Sequence, residues 1–277
     1  MNNEPQSMSV SNILHQLTSP WLNFILAPLG YCLIGLLLAV RQQQFHFTHF
    51  SVLFLFFVII YLQENSFRKF ANHPELKRWI FIAITDILLL SLLVYFYQNV
   101  ALRIVLLLLL IVILNHGHLF ELKTNDMFYI YHSFLNSISK YYLGNFITLF
   151  ILSGAVSKEI GIQMTLQLFQ YILFGLYVSH VKSRLVEIRE GKRHYGPVVA
   201  ICTVLFSLSW LIGTIIYFVW YLGSFSILGT ILFSLSLLIP ILYQIYYRKE
   251  FSVNRQFTYL HWYLIVMSFL YGFFFII

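Results

Sequence analysis

The sequence predicts an all-α membrane protein: nine transmembrane helices in one bundle, with the N-terminus on the inner side. Three observations carry this prediction. Hydrophobic residues make up 60% of the 277 and charged residues only 10%, too little polar surface to clothe a soluble domain. Nine apolar runs approach the roughly 20 residues that cross about 30 Å of hydrocarbon as helix. Basic residues collect in alternate connections between those runs, as cytoplasmic loops do.

Taken in order, residues 1 to 19 are polar and contain no Lys or Arg. They lack the charged start and small-residue cleavage site of a signal peptide, so the first helix is expected to be retained. The spans are expected near residues 20 to 40, 46 to 63, 79 to 97, 99 to 114, 140 to 156, 161 to 180, 197 to 221, 223 to 247 and 258 to 277. The joins at Gln98-Asn99 and Gly223-Ser224 are so tight that their neighbours must form antiparallel hairpins. No Pro-rich linker, charge block or low-complexity stretch divides the chain, so residues 1–277 read as one transmembrane helical domain.

The basic residues set the orientation. Arg68, Lys69, Lys77, Arg78, Lys123, Lys140, Lys182, Arg184, Arg189, Lys192, Arg193, Arg248, Lys249 and Arg255 all follow even-numbered spans, which places fourteen of seventeen on one side. Only Arg41, Arg103 and Lys158 fall on the other. This bias puts the N-terminus inside and the C-terminus outside. The net charge of +7 therefore reports topology, and no nucleic-acid partner is implied. Cys32 and Cys202 each lie within an apolar run and read as small apolar fillers rather than a disulfide or zinc pair. The chain has no Walker loop, G-x-S-x-G, H-E-x-x-H or dinucleotide fingerprint, which leaves soluble-enzyme chemistry without a foothold.

Two inside connections stand out, residues 65–78 and 181–196. The first stretch is "NSFRKFANHPELKR", and the second belongs to "SHVKSRLVEIREGKRHYG". With nine spans, N-terminus inside and motifs in the connections after spans two and six, the chain resembles the UbiA superfamily of intramembrane prenyltransferases. The family's first motif has the form N-D-x-x-D-x-x-x-D. Asn65 falls on its Asn, while Ser66, Lys69 and His73 fall on the three Asp positions and Pro74, Lys77 and Arg78 extend the match. The second motif ends in G-K-R. Set on Gly191, Lys192 and Arg193, it puts Ser179 at the Asn, His180 and Ser183 at the first two Asp positions and Glu187 at the last. The opening "SPWLNFILAPLGYCLIGLLLA" is similar to the family's first helix, with an early Pro and a later Pro and Gly.

The resemblance implies a central cavity closed on the inside by the two connections, holding an isoprenoid or quinone-like lipid or a prenyl diphosphate. In the family the aspartates hold magnesium ions that stabilise a leaving diphosphate. Each lost Asp removes an oxygen ligand and a compensating charge. Here five of six are Ser, His or Lys, and Glu187 is the one remaining carboxylate and residual magnesium candidate. Lys69 sets a cation where a metal would sit, a repulsion of about 4 kcal/mol at about 4 Å and an effective dielectric of about 20. The expectation is a pseudoenzyme, with Mg2+ as cofactor only if prenyl transfer is retained, and the catalytic residues stay unassigned. Asn65, Arg68, Lys69, Lys182, Glu187, Lys192 and Arg193 are the candidate substrate or phosphate contacts. A basic cluster holds phosphate without metal, and the same charges also serve as positive-inside anchors. The expected setting is a bacterial inner membrane, with the lipid bilayer as the certain partner.

Outside those motifs, Asp86 lies within the third span, where a carboxylate must face water or find a partner. It either lines a polar cavity or relays protons, or else it is protonated or bonded to a neighbouring helix. Arg103 is expected to snorkel to the outer interface rather than pair with it. His116 and His118, and His46 and His49, are expected at interfaces, since zinc needs three or four ligands. Glu121 and Asp126 read as solvated. The alternative to the lipid-binding reading is a multi-pass transporter or scaffold without enzymatic activity, its pathway passing Asp86.

Overall fold

A short 3-10 turn, Pro20–Leu22, leads into α1 (Asn23–Arg41), followed by α2 (Phe47–Asn72), α3 (Leu76–Asn99) and α4 (Leu102–His116). A π-helix, Tyr131–Tyr142, then runs directly into α5 (Leu143–Ser153). The computed structural model describes residues 19–41, 45–72, 75–117 and 131–154, with Val156, Lys158, Gly161, Met164, Leu208, Ile212, Thr258, 261–266, Ser268 and Phe269. Among the described residues every regular element is helical and none is a strand. Three stretches are long and apolar enough to cross a membrane: Asn23–Val40, Phe47–Phe67 and Leu76–Asn99. The expected spans near 161 to 180, 197 to 221 and 223 to 247 lie, apart from isolated positions, outside the described residues.

The first four expected spans correspond to α1 through α4, and the boundaries differ for physical reasons. The helix α2 continues through Asn72, eight residues into the expected connection 65–78. No Gly or Pro interrupts it before Pro74, and the residue preceding a proline is driven out of the α region. Only Val100 and Ala101 separate α3 from α4, which makes the expected hairpin. The expected fifth span, 140 to 156, is shorter as α-helix. It stops at Gly154, whose φ of 72° is the left-handed geometry that ends helices, with its N–H donated to the Phe150 carbonyl at 2.9 Å.

The core forms where α1 and α5 meet, with α2 against both. Gly35 and Gly144 bring the two backbones together: a Cβ on Gly35 would collide with the Asn145 carbonyl, and one on Gly144 would stand 2.6 Å from the Tyr31 carbonyl. Small residues at such a crossing allow the close van der Waals approach that holds helices together without a hydrophobic driving force. Around it Tyr31 packs edge-on against Phe57, centroids 5.7 Å apart, and against Tyr141 at 4.7 Å. Leu264 of the C-terminal stretch closes on Gly30, so residues 261–266 pack beside α1.

One side chain locks this crossing. The buried Asn145 Oδ1 accepts the backbone N–H of Ile34 at 2.8 Å and of Gly35 at 3.1 Å. Its Nδ2 donates to the carbonyls of Gly30 at 3.0 Å and Tyr141 at 2.7 Å. Gly30 C=O and Ile34 N–H are partners in an undisturbed helical ladder; here one carboxamide reaches both. Nearby Pro28 contributes no N–H, and its carbonyl accepts the Cys32 thiol at 3.3 Å. Cys32 is thus the buried filler its setting predicts.

Replacing Asn145 with Leu leaves buried backbone groups of α1 without their partner, at about 1–3 kcal/mol for each that stays unpaired. We expect Asn145→Leu to lower unfolding stability in detergent by about 3 kcal/mol, measured by chemical denaturation. Gly35→Ala, which forces α1 off α5, should lose a similar amount.

Candidate functional site

Polar residues from several helices are gathered by the fold into one chain of contacts. Gln63 and Glu64 come from the last third of α2, Asp86 and Thr85 from the first half of α3, and Asn115 and His116 from the end of α4. Lys140 comes from the π-helix, where Ser139, Lys140 and Tyr141 are buried in succession. Three consecutive buried residues require the segment to be enclosed on more than one side. The wide π turn, a geometry frequent at functional sites, delivers Lys140 to the middle of the cluster.

Lys140 is fully enclosed, with 0% of its surface exposed, and Glu64 retains 4%. Lys140 Nζ donates to Glu64 Oε2 at 2.7 Å and to Asn115 Oδ1 at 2.6 Å. Asn115 Nδ2 donates to Gln63 Oε1 at 2.9 Å and to the Ile60 carbonyl at 3.3 Å. Gln63 Nε2 in turn donates to Asp86 Oδ1 at 2.6 Å and to Thr85 Oγ1 at 3.3 Å. His116 Nε2 closes on the same carboxylate, 3.2 Å from Oδ1 and 3.4 Å from Oδ2, and Phe67 packs on its ring with centroids 5.0 Å apart.

A second polar group lies beside the first, joined to it through the neighbouring residue Tyr141. Its hydroxyl meets His261 Nε2 at 3.2 Å, and Asn23 Nδ2 donates to Thr258 Oγ1 at 3.0 Å. Six expected spans therefore send polar side chains to one end of the bundle: Asn23 from the first, Gln63 and Glu64 from the second, Asp86 from the third, Asn115 and His116 from the fourth, Lys140 and Tyr141 from the fifth, and Thr258 and His261 from the ninth.

Of the residues singled out in the sequence, Asp86 is bonded to side chains of two neighbouring helices. Its partners are Gln63 and His116. Arg103 stands exposed in the first turn of α4, at the helix end opposite His116, and is not among those partners. Asn65 is half-buried on α2, next to Glu64. Arg68 and Lys69 sit on the last turns of the same helix, and their side chains lie outside the described residues. Lys182, Glu187, Lys192 and Arg193 also lie outside them, as do His118, Glu121 and Asp126.

One expectation is corrected: Lys140, counted among the connection charges, is the buried partner of Glu64, because an enclosed ammonium is tolerated only with an anion and full hydrogen bonding. His116, in the last turn of α4, joins its ring to the Asp86 carboxylate. His46 and His49 do lie side by side, with ring centroids 5.6 Å apart, and His49 bonds to the Tyr95 hydroxyl at 3.0 Å. Among the described residues no three His, Cys, Asp or Glu side chains gather as a metal site.

Sequence reasoning missed Gln63, Glu64, Asn115 and Lys140 as a set. The available signal was that each is a polar residue at the margin of an apolar run, where an acid and a base far apart in the chain can pair. Among the described residues the structure is all-helical, with three membrane-length apolar helices and a charged network whose Glu64–Lys140 pair is buried. No family model, curated protein or solved structure matches the chain.

Removing one partner of a buried ion pair costs about 3–5 kcal/mol, whereas replacing both with apolar groups is often close to neutral. Lys140→Met should therefore destabilise the protein by about that amount, and adding Glu64→Leu should restore at least half of the loss. Denaturant unfolding of the two variants side by side checks this.

Proposed function

We propose that the chain is a UbiA-like membrane protein of nine transmembrane helices with its N-terminus inside, set in a bacterial cytoplasmic membrane. In this reading it binds an isoprenoid or quinone-like lipid, and magnesium-dependent prenyl transfer is impaired or lost. The observation that carries the reading is the Glu64–Lys140 ion pair next to Asn65. Where the resemblance sets metal-holding oxygens, the adjacent carboxylate is committed to a covalently attached ammonium. With Lys69 at a motif Asp position, the first motif has little left with which to hold a hard divalent ion. Arg68, Lys69, Lys182, Lys192 and Arg193 are then the groups that meet a phosphate directly, and Glu187 is the one motif carboxylate available to a residual metal. The apolar and aromatic walls of the bundle accommodate the isoprenoid tail.

A second reading, a multi-pass transporter or scaffold without enzymatic activity, is favoured by a different observation. Ionisable side chains from four elements are linked inside an apolar bundle, and such residues commonly mark substrate or ion pathways.

The test is incubation of the purified full-length protein with radiolabelled geranylgeranyl diphosphate, with and without magnesium. The lipid-binding reading expects metal-independent binding without turnover, weakened roughly tenfold by Lys192→Glu through loss of a charge-assisted contact. Magnesium-dependent turnover overturns the loss of transfer. Absence of binding to this and other prenyl diphosphates overturns the lipid reading and leaves the transporter or scaffold.

A further inference from the structure

The donors and acceptors of the polar chain can be assigned from one end. Lys140 has only protons to give, so Asn115 must turn Oδ1 towards it at 2.6 Å. Asn115 Nδ2 then faces Gln63, which must present Oε1 at 2.9 Å. This leaves Gln63 Nε2 directed at Asp86 Oδ1, 2.6 Å away. The orientation of both amides follows from the lysine, although oxygen and nitrogen alone do not distinguish themselves.

The other end imposes a second constraint. His116 Nδ1 lies 2.9 Å from the Val112 carbonyl, which only accepts, so Nδ1 carries hydrogen. A neutral ring with hydrogen on Nδ1 has a bare lone pair on Nε2. That lone pair would face the Asp86 carboxylate at 3.2 Å and 3.4 Å, acceptor against acceptor. The contact becomes attractive only with one more proton between the two groups, as imidazolium with carboxylate or imidazole with carboxylic acid.

Charge balance agrees. Among the described residues the ionisable groups facing this point are Glu64 from α2, Asp86 on α3 itself, His116 from α4 and Lys140 from the π-helix. With the extra proton the four sum to zero; without it they leave one negative charge in an apolar bundle, which is unfavourable. Asp86 and His116 keep about a third of their side-chain surface exposed, 35% and 32%, whereas Lys140 has none. Of the four groups, Asp86 and His116 are therefore the pair with surface left at which a proton can be exchanged.

We propose that Asp86 and His116 form a proton-binding site, and that Gln63 and Asn115 couple its occupancy to the buried Glu64–Lys140 pair. When the proton leaves, the imidazole must turn from the carboxylate, giving up its bond to Val112 or its packing on Phe67. Asp86, then carrying an undivided negative charge, draws Gln63 Nε2 more strongly, and the pull passes through Asn115 to Lys140. The two amides relay orientation and charge, not the proton itself, since neither exchanges protons readily. The proposal stands independently of the lipid-binding reading.

The test uses the full-length protein in lipid nanodiscs, with histidine ring nitrogens labelled with 15N, titrated between about pH 5 and pH 9, the range in which histidine chemistry is read. The His116 resonances are identified by their disappearance in His116→Gln. The expected wild-type result is a hydrogen-bearing Nδ1 throughout and an Nε2 that gains its proton on acidification. In the near-isosteric Asp86→Asn, the Nε2 resonance should move to the bare-acceptor position, because the asparagine amide can donate to it. The coupling is read by the infrared carboxylate band of Glu64, identified by its loss in Glu64→Gln. That band should shift in step with His116 in the wild type and lose its response in Gln63→Leu, while the His116 titration remains. An Nε2 resonance that is bare at every pH in the wild type, or identical in wild type and Asp86→Asn, overturns the proton site. A pH-independent Glu64 band overturns the coupling.

Discussion

The crossing of α1 and α5 depends on a single carboxamide inserted into a helical backbone. In a bilayer no water is available for a backbone group that loses its ladder partner. Asn145 answers that constraint by serving two N–H groups and two carbonyls at once. The geometry it needs is set by Gly35 and Gly144, because only glycine lets the two axes come close enough for a side chain this short. The crossing in turn positions Tyr31 against Tyr141, next to the lysine at the centre of the polar chain. The aromatic core and the charged cluster are consequences of the same close approach.

Within the cluster the Glu64–Lys140 pair is enclosed. A lysine normally snorkels to the nearest interface. Lys140 does not, and its ammonium is met by Glu64 and Asn115 instead of headgroups. Such pairs contribute little net stability compared with well-packed apolar side chains. Their presence in a largely apolar bundle therefore points to a use for charge at this place. The chain Lys140, Asn115, Gln63, Asp86 also has a fixed polarity, donor at one end and acceptor at the other, so a change of protonation at one end has a defined direction in which to travel.

The sequence reveals the spans more clearly than it reveals the site, for a physical reason. Length and hydropathy decide whether a segment crosses the membrane, and α1, α2 and α3 fall close to their expected positions. The face each helix buries is another matter. Along α3 the buried positions are Ile82, Thr85, Leu89, Leu93 and Phe96, while Ile84, Ile87, Leu88 and Leu90 are exposed. Lipid and protein interior are equally apolar, so no periodicity separates the two faces. Asp86 was legible as costly because it stands alone in an apolar run. Its partner His116 was not, since the contact joins residues 30 apart, and Lys140 was hidden because positive-inside reasoning already accounted for one more basic residue. Asn145 was invisible for a similar reason: a lone Asn in an apolar helix announces a bond but not to what.

The placement of the polar groups bears on the UbiA-like reading in one further respect. A metal site holds its cation through several anionic oxygens, and emptying it leaves those oxygens in mutual repulsion. The described cluster instead pairs each acid with a base of its own chain: Glu64 with Lys140, and Asp86 with His116. A network balanced in this way keeps its geometry without any ion, and a divalent cation entering it would have to displace an ammonium or an imidazolium first. On the proposed reading, the loss of motif aspartates and the internal pairing of Glu64 and Asp86 are two sides of one change. A cluster whose negative charge is neutralised by its own side chains has no electrostatic need of magnesium.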